Sequence, residues 1–369
     1  MIKAAVMPAP GRAVEIREFP EPELEPASAL FKTIYSEVCG TDLHLQDGKL
    51  SLTPYPLIPG HANVGTLQAI EGEIRDVDGN RLLEGQVVTF FDVHKTCNNC
   101  WYCLVAKAPT RCPNRKVYGI TYGAEEGLLG GWSEVVYLKP GVRVLLLPEG
   151  VEPVTFIAGG CTLPTAFHAM ERGEMRLGDT VAVQGAGPLG LMCLAFAQMA
   201  GASKTIILGN GAPRLKAARD FGADVVIDID GLSPKDRVEA VLGATGGRGA
   251  DLTVEATGAP QAIIEGMEMT RDAGRYVVLG QYTDLGDVLI NPHRLINRKH
   301  LEVRGCWGIE FRHLYKSVQL LPRLAARFPL AQMVTRRYLL AEANEALADV
   351  RAQRVVKAAI APNGPVEIG

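Results

Sequence analysis

The stretch VAVQGAGPLGL, residues 181–191, decides the fold. Val181 to Gln184 read as a buried strand, Gly185-Ala186-Gly187-Pro188-Leu189-Gly190 as a glycine turn, and the apolar run that follows as a helix. A GxGxxG motif alone is a weak signal. Set between a strand and a helix it reads as a dinucleotide-binding turn. Gly185 makes the tight turn, Gly187 lets the backbone approach a pyrophosphate, and Gly190 lets helix and strand pack closely. The helix that opens at Pro188 and Leu189 offers the unpaired N–H groups of its first turn to the phosphates.

Working outward, KTIILG (204–209), ADVVIDI (223–229), ADLTVEATG (250–258) and GRYVVLG (274–280) read as further strands with helical stretches between them. That alternation predicts an α/β fold: a doubly wound parallel sheet with helices on both faces. Its ribose-binding carboxylate is expected about 20 residues after the turn. Gly209 stands there instead, followed by Asn210 and Gly211, and no carboxylate comes before Asp220. The missing negative charge leaves room for a 2′-phosphate, which Arg214 is placed to meet, so NADP is favoured over NAD. Gly209, Asn210, Arg214 and Gly280 join the glycine turn as cofactor-binding candidates.

Before this unit the rhythm differs. Runs such as LFKTIYSEV (30–38), VGTLQAI (64–70), GQVVTFF (85–91) and GGWSEVVYL (130–138) are short, apolar and broken by Gly and Pro. They predict a β-rich domain. After residue 305 come two helix-like stretches and a strand, VVKAAIA (355–361). The expected organisation is a catalytic domain from 1–160, a dinucleotide domain from 161–304, and a 305–369 segment that returns to complete the first. The active site is expected in the cleft between the domains.

The 369 residues are 47% hydrophobic, ample for a sizeable core, and carry a net charge of −3. No basic field points to nucleic acid or an anionic membrane. The start, MIKAAVMPAPG, reads as a strand rather than a signal peptide, and no apolar run has the ~18 residues of a membrane helix. A cytoplasmic protein with reduced thiols is the expectation.

Of eight cysteines, four fall within sixteen residues: Cys97, Cys100, Cys103 and Cys112. Thiols this close are poor disulfide partners for one another but converge easily on one ion. The C-x2-C-x2-C-x8-C spacing reads as a structural zinc lobe, in which four thiolates fill a tetrahedral ion's shell. A redox pair or an iron–sulfur cluster is the other chemistry such thiols support. Elsewhere, EVCGTDLH (37–44), PGHANVG (59–65) and GGCTLPTAF (159–167) hold Cys39, His61 and Cys161. Together these would make a Cys2His set of the kind catalytic zinc uses, with one position open. Spacing alone does not bring such distant residues together. Singly, each reads as a buried thiol or a hydrogen-bonded imidazole.

The order of these blocks, with Gly130–Glu134 (G-G-x-x-E) between them, resembles the zinc-dependent medium-chain alcohol dehydrogenase family over nearly the whole chain. The resemblance implies a GroES-like catalytic domain beside a Rossmann domain, two Zn2+ per chain, and a homodimer or homotetramer. It implies Cys39, His61 and Cys161 as catalytic zinc ligands and the four clustered cysteines as the structural site. Thr41 matches the hydroxyl that takes the alcohol's proton, and His44 the residue that passes it to solvent. Asp42 matches the carboxylate that orients the ligand histidine. The reaction implied is hydride transfer between an alcohol, or its carbonyl, and a nicotinamide cofactor.

One departure stands out. The family reads Gly-His-Glu where this chain reads Gly60-His61-Ala62, so the carboxylate behind the zinc is expected to be missing. For the substrate pocket, the resemblance points to the FFDVHK segment (90–95), with Leu57, Leu163, Trp132 and Trp307 as further candidates. Asp92 and His94 there raise a polyol, cyclitol or sugar alcohol as the alternative substrate class. A zinc-free reductase and a non-catalytic cofactor-binding protein are the remaining readings. The retained ligand set disfavours the first, and Ala62 alone favours the second.

Overall fold

The computed structural model describes residues 1–364 apart from Leu52. The chain forms two compact units. One comprises Met1–Cys161, Glu310–Ala325 and the chain from Leu330 on; the other comprises Thr162–Ile309 with Ala326–Pro329.

The first unit is built on a mostly antiparallel sheet. Its order is Val334–Leu339, Lys357–Ala361, Ser28–Val38, Asn63–Glu71, Val87–Phe90 and Val144–Leu146, with Val135–Leu138 also pairing on Ser28–Val38. Ser28–Val38 has neighbours on both edges and is buried along almost its whole length. Phe31 and Phe90 meet edge to face with ring centres 5.2 Å apart, and Phe90 meets Tyr118 the same way. The opening residues do form a strand: Ile2–Val6 pairs antiparallel with Glu15–Phe19.

The second unit carries six parallel strands in the order Val225–Asp228, Lys204–Gly209, Thr180–Gln184, Ala250–Glu255, Thr270–Val278, Glu302–Gly305. Numbered by appearance this is 3-2-1-4-5-6, the doubly wound order anticipated from the glycine turn. The order reverses between Thr180–Gln184 and Ala250–Glu255, which puts the ligand crevice at the C-terminal ends of those strands. Helix Pro188–Met199 is buried without a break from Gly190 to Ala197. A helix apolar on every side has no water-facing stripe to show.

Candidate metal centres and cofactor turn

Cys39 sits where strand Ser28–Val38 ends and helix Gly40–Gln46 begins, as that helix's N-cap residue. His61 lies in the turn before strand Asn63–Glu71, and Cys161 follows helix Pro153–Gly159. One ligand atom from each, with a carboxylate oxygen of Glu37, lies within 4.8 Å of all the others. The His61 ring turns Nε2 toward the cluster, 3.8 Å from Cys39 Sγ. The three residues expected from sequence are therefore brought together, within the first unit.

The electrostatics fit a cation. Cys39 is held well below an ordinary thiol by a hydrogen bond from Cys161, against the cost of burial and helped by His61. Cys161 is pushed up by that same bond and by burial. Burial works against a charged His61, yet Cys39, Glu37 and Asp42 together raise it well above the usual range. Asp42 is raised too, by burial and then by Cys39. Thiolate, carboxylates and imidazole crowded into a buried site are a donor set that a divalent zinc ion satisfies.

Asp42 accepts a hydrogen bond from the Cys39 N–H through Oδ2, at 2.8 Å, and so caps its own helix. Its Oδ1 and His61 Nδ1 are both buried without a hydrogen-bond partner. The expected Asp42–His61 bond is thus not formed, although the two groups are electrostatically coupled. Thr41 and His44 lie on the same short helix, half-buried, with His44 shifted below its ordinary range by burial and then by Lys49.

The four lobe thiols also converge, with their sulfurs all within 4.8 Å of one another. Cys112 Sγ donates to Cys97 Sγ at 3.5 Å with no disulfide between them, and accepts the Cys97 N–H at 3.3 Å. The Asn99 N–H draws Cys97 down to about 6. Cys100 precedes a single helical turn, Trp101–Leu104, which buries none of its residues. This lobe has no core of its own.

In the second unit, the glycine turn forms as expected, with Gly187 as N-cap and Pro188 opening the helix. A Cβ on Gly190 would lie 1.7 Å from the Gly185 carbonyl oxygen, so only glycine lets helix and strand approach this closely. Gly209 ends its strand under the turn, where a Cβ would lie 2.5 Å from Ala186 Cβ. Arg214 reaches over the turn: its guanidinium passes 3.9 Å from where a Gly187 Cβ would be, and its Nε is buried without a partner. Asp220 is spent on Lys216, 2.6 Å away on its own helix. Asn210 instead meets a carboxylate that linear spacing does not show, Asp230 from the next strand's end, at 3.4 Å.

The family models for the alcohol dehydrogenase GroES-like domain and the zinc-binding dehydrogenase match residues 25–149 and 188–323. A 5-exo-hydroxycamphor dehydrogenase of Pseudomonas putida is 34% identical over 360 residues, covering 97% of this chain and 98% of its own. The chain belongs to the zinc-dependent medium-chain alcohol dehydrogenase family. An alcohol dehydrogenase from Thermotoga maritima has the same fold at a TM-score of 0.91, with 32% identity over 98% of this chain and 99% of that one. A Sinorhizobium meliloti 1021 protein solved with NADP bound matches at 0.85 and 26%, over 98% and 99%. The protein is accordingly an alcohol oxidoreductase, acting on CH–OH donors with zinc and a nicotinamide cofactor.

This alcohol dehydrogenase brings buried charged residues to its candidate sites that its linear sequence hides. Glu37 is one: the charge expected to be lost at Ala62 is supplied from another strand. Glu37 Oε1 lies 3.4 Å from His61 Nε2 and accepts the Cys161 N–H at 3.1 Å. Its other oxygen pairs with Lys357, and both side chains are buried. The available signals were faint. Glu37 is two residues before Cys39, hence on the same side of an extended chain, and Lys357 is a lone charge in an apolar strand. Glu255 is a third such residue. Fully buried at a strand end, it accepts hydrogen bonds from Thr257 N, Thr257 Oγ1, Gly258 N and Gly280 N, all within 2.6–2.8 Å.

The pocket candidates divide. Leu57 and Trp132 lie in the first unit's core, with Trp132 Nε1 donating to the Glu37 carbonyl. Leu163 is fully buried, and Trp307 stacks on Tyr282. His94 has both ring nitrogens engaged, by Tyr122 Oη at 2.6 Å and the Pro140 carbonyl at 3.1 Å. Cys193 is buried in its helix, and Cys306 is buried as well, its thiol pushed up to about 12.

Proposed function

We propose that this dehydrogenase holds its catalytic zinc through Cys39, His61 and Cys161 and a second, structural zinc through Cys97, Cys100, Cys103 and Cys112. The observation that carries the reading is the convergence of the first three side chains, drawn from positions spread between residues 39 and 161, on one buried point with balancing charge. Zinc held there supplies Lewis acidity toward the alcohol oxygen. The chain's own residues handle the proton. The Thr41 hydroxyl takes it from the alcohol and His44 carries it outward, its depressed basicity keeping the ring neutral and able to accept near pH 7. The glycine turn, with Gly280 beside it, holds the cofactor. Residues 161–304 are proposed as its domain, with 1–160 and 305–369 forming the catalytic domain.

The preferred cofactor is NADP. The position that would bear a ribose-binding carboxylate is Gly209, and Arg214 offers a positive charge over the turn. The substrate is a secondary or primary alcohol. The similarity to a hydroxycamphor dehydrogenase favours an apolar secondary one. The polyol alternative loses support because His94 is committed to Tyr122 and Pro140. The enzyme is further proposed to work in the cytoplasm, where its eight cysteines stay reduced, as a dimer or tetramer as its family resemblance suggests. No helix among the described residues is long and apolar enough to cross a membrane.

The test is the zinc content of the purified protein and of Cys39→Ser, followed by an alcohol screen with NAD+ and NADP+. Two zincs falling to one with the fold intact, and faster turnover with NADP+, are expected. One zinc in both proteins removes the catalytic site from the account. A preference for NAD+ overturns the cofactor assignment and puts Asp230 at the ribose.

A further inference from the structure

We propose that Glu37 is a fourth protein ligand of the catalytic metal in the substrate-free enzyme, and that Lys357 governs its release. This rests on the catalytic-zinc reading above and adds to it a residue from outside the Gly-His-Glu position.

The spacing of the donor atoms carries the argument. Zinc bond lengths of about 2.3 Å to sulfur and about 2.0 Å to nitrogen and oxygen, at tetrahedral angles, separate N and O ligands by about 3.3 Å and S and N ligands by about 3.6 Å. Here Glu37 Oε1 is 3.4 Å and Cys39 Sγ 3.8 Å from the same nitrogen, His61 Nε2. A charge-assisted hydrogen bond between imidazole and carboxylate closes to about 2.8 Å. One Nε2 also cannot serve both acceptors along a single N–H direction. The two contacts are edges of one coordination tetrahedron, and the Cys161 sulfur completes the group.

The surrounding backbone is shaped for the carboxylate. Gly160 has φ +47°, and a Cβ there would lie 2.2 Å from Glu37 Oε2. The Glu37 N–H bonds to the Ala62 carbonyl at 3.1 Å, so Glu37 neighbours the residue just ahead of strand Asn63–Glu71. A carboxylate from either reaches the same side of the metal, which is how this chain tolerates alanine at 62. Lys357, from the strand paired on the other edge of Ser28–Val38, holds the second oxygen. When substrate displaces Glu37, Lys357 keeps the buried carboxylate compensated. The resting site is therefore closed by four protein ligands, and alcohol enters by exchange.

The experiment uses the full-length enzyme with Co2+ in the catalytic site. It reads water-proton relaxation and the rate of metal loss to a chelator. Glu37→Gln leaves Lys357 buried and unpaired, so the neutral pair Glu37→Gln/Lys357→Met is compared alongside it, with circular dichroism verifying the fold. Wild type is expected to show little water access to cobalt. The paired variant should admit solvent water and lose metal at least about tenfold faster. Wild-type relaxation and metal retention in the folded paired variant would place Glu37 outside the coordination shell and overturn the proposal. That result differs from failure of the underlying reading, in which wild type carries only the lobe metal and Cys39→Ser changes nothing.

Discussion

Arg214 and His94 show how a single side chain's neighbours set its part. Arg214 leaves its guanidinium beside Gly187 with Nε unpaired and buried, so an anionic group at the turn is the partner it lacks. Charge-assisted bonds to a phosphate contribute about 1.5–3 kcal/mol each. Arg214→Ala should therefore raise KM for NADP+ by roughly 10- to 100-fold while leaving KM for NAD+ nearly unchanged. Steady-state kinetics with both cofactors checks it. His94 is held as a neutral ring by burial, which pushes its basicity below the ordinary value of 6.5. The unfolded chain takes up that proton near pH 6.5, and the folded chain only at lower pH. Its contribution to stability is thus complete above about pH 6.5 and fades as pH falls through the folded value. Thermal midpoints of wild type and His94→Gln between pH 8 and 5 should converge toward the acid end. Parallel curves would mean that the His94 ring does not resist protonation.

At the scale of elements, strand ends do most of the positioning. Glu255 closes strand Ala250–Glu255, and its carboxylate gathers N–H groups from residues 257, 258 and 280. Those loops border the glycine turn: a Cβ on Gly185 would sit 3.0 Å from the Ala256 oxygen. Glu255→Ala strands several buried donors at once, and a loss of about 3 kcal/mol or more is expected. Urea unfolding should show a lower midpoint at an unchanged slope, with a raised cofactor KM in the fraction that remains folded. The four-cysteine lobe is the opposite kind of element. Its one helical turn leaves Trp101, Tyr102 and Leu104 exposed, so apolar burial within the turn does not hold it, and the proposed structural zinc would.

At the scale of the whole molecule, both candidate metal sites belong to the first unit, between residues 37 and 161. Chelating the two proposed metals should lower the thermal midpoint by on the order of 10 °C. The loss of order should concentrate in peptides around 97–112 and 37–62, as hydrogen exchange would show. Uniform loosening across the second unit's strands would contradict that assignment. The chain's local patterns determined a great deal on their own. The strand–turn–helix at 180–199 and the four-cysteine spacing were legible because their physics acts between residues close in sequence. The family's motif order extended that to Cys39, His61 and Cys161. Only the tertiary structure decided what stands beside them. Alanine at 62 reads as a lost charge, yet strand pairing brings Glu37 beside His61 and Lys357 against Glu37. Asp42 turns to cap its own helix, and Asp230 reaches Asn210 from a neighbouring strand. Apart from the local Asp42 cap, each of these contacts depends on sheet register or chain reversal between segments remote in sequence. Register is set by packing the whole core rather than by any local run of residues.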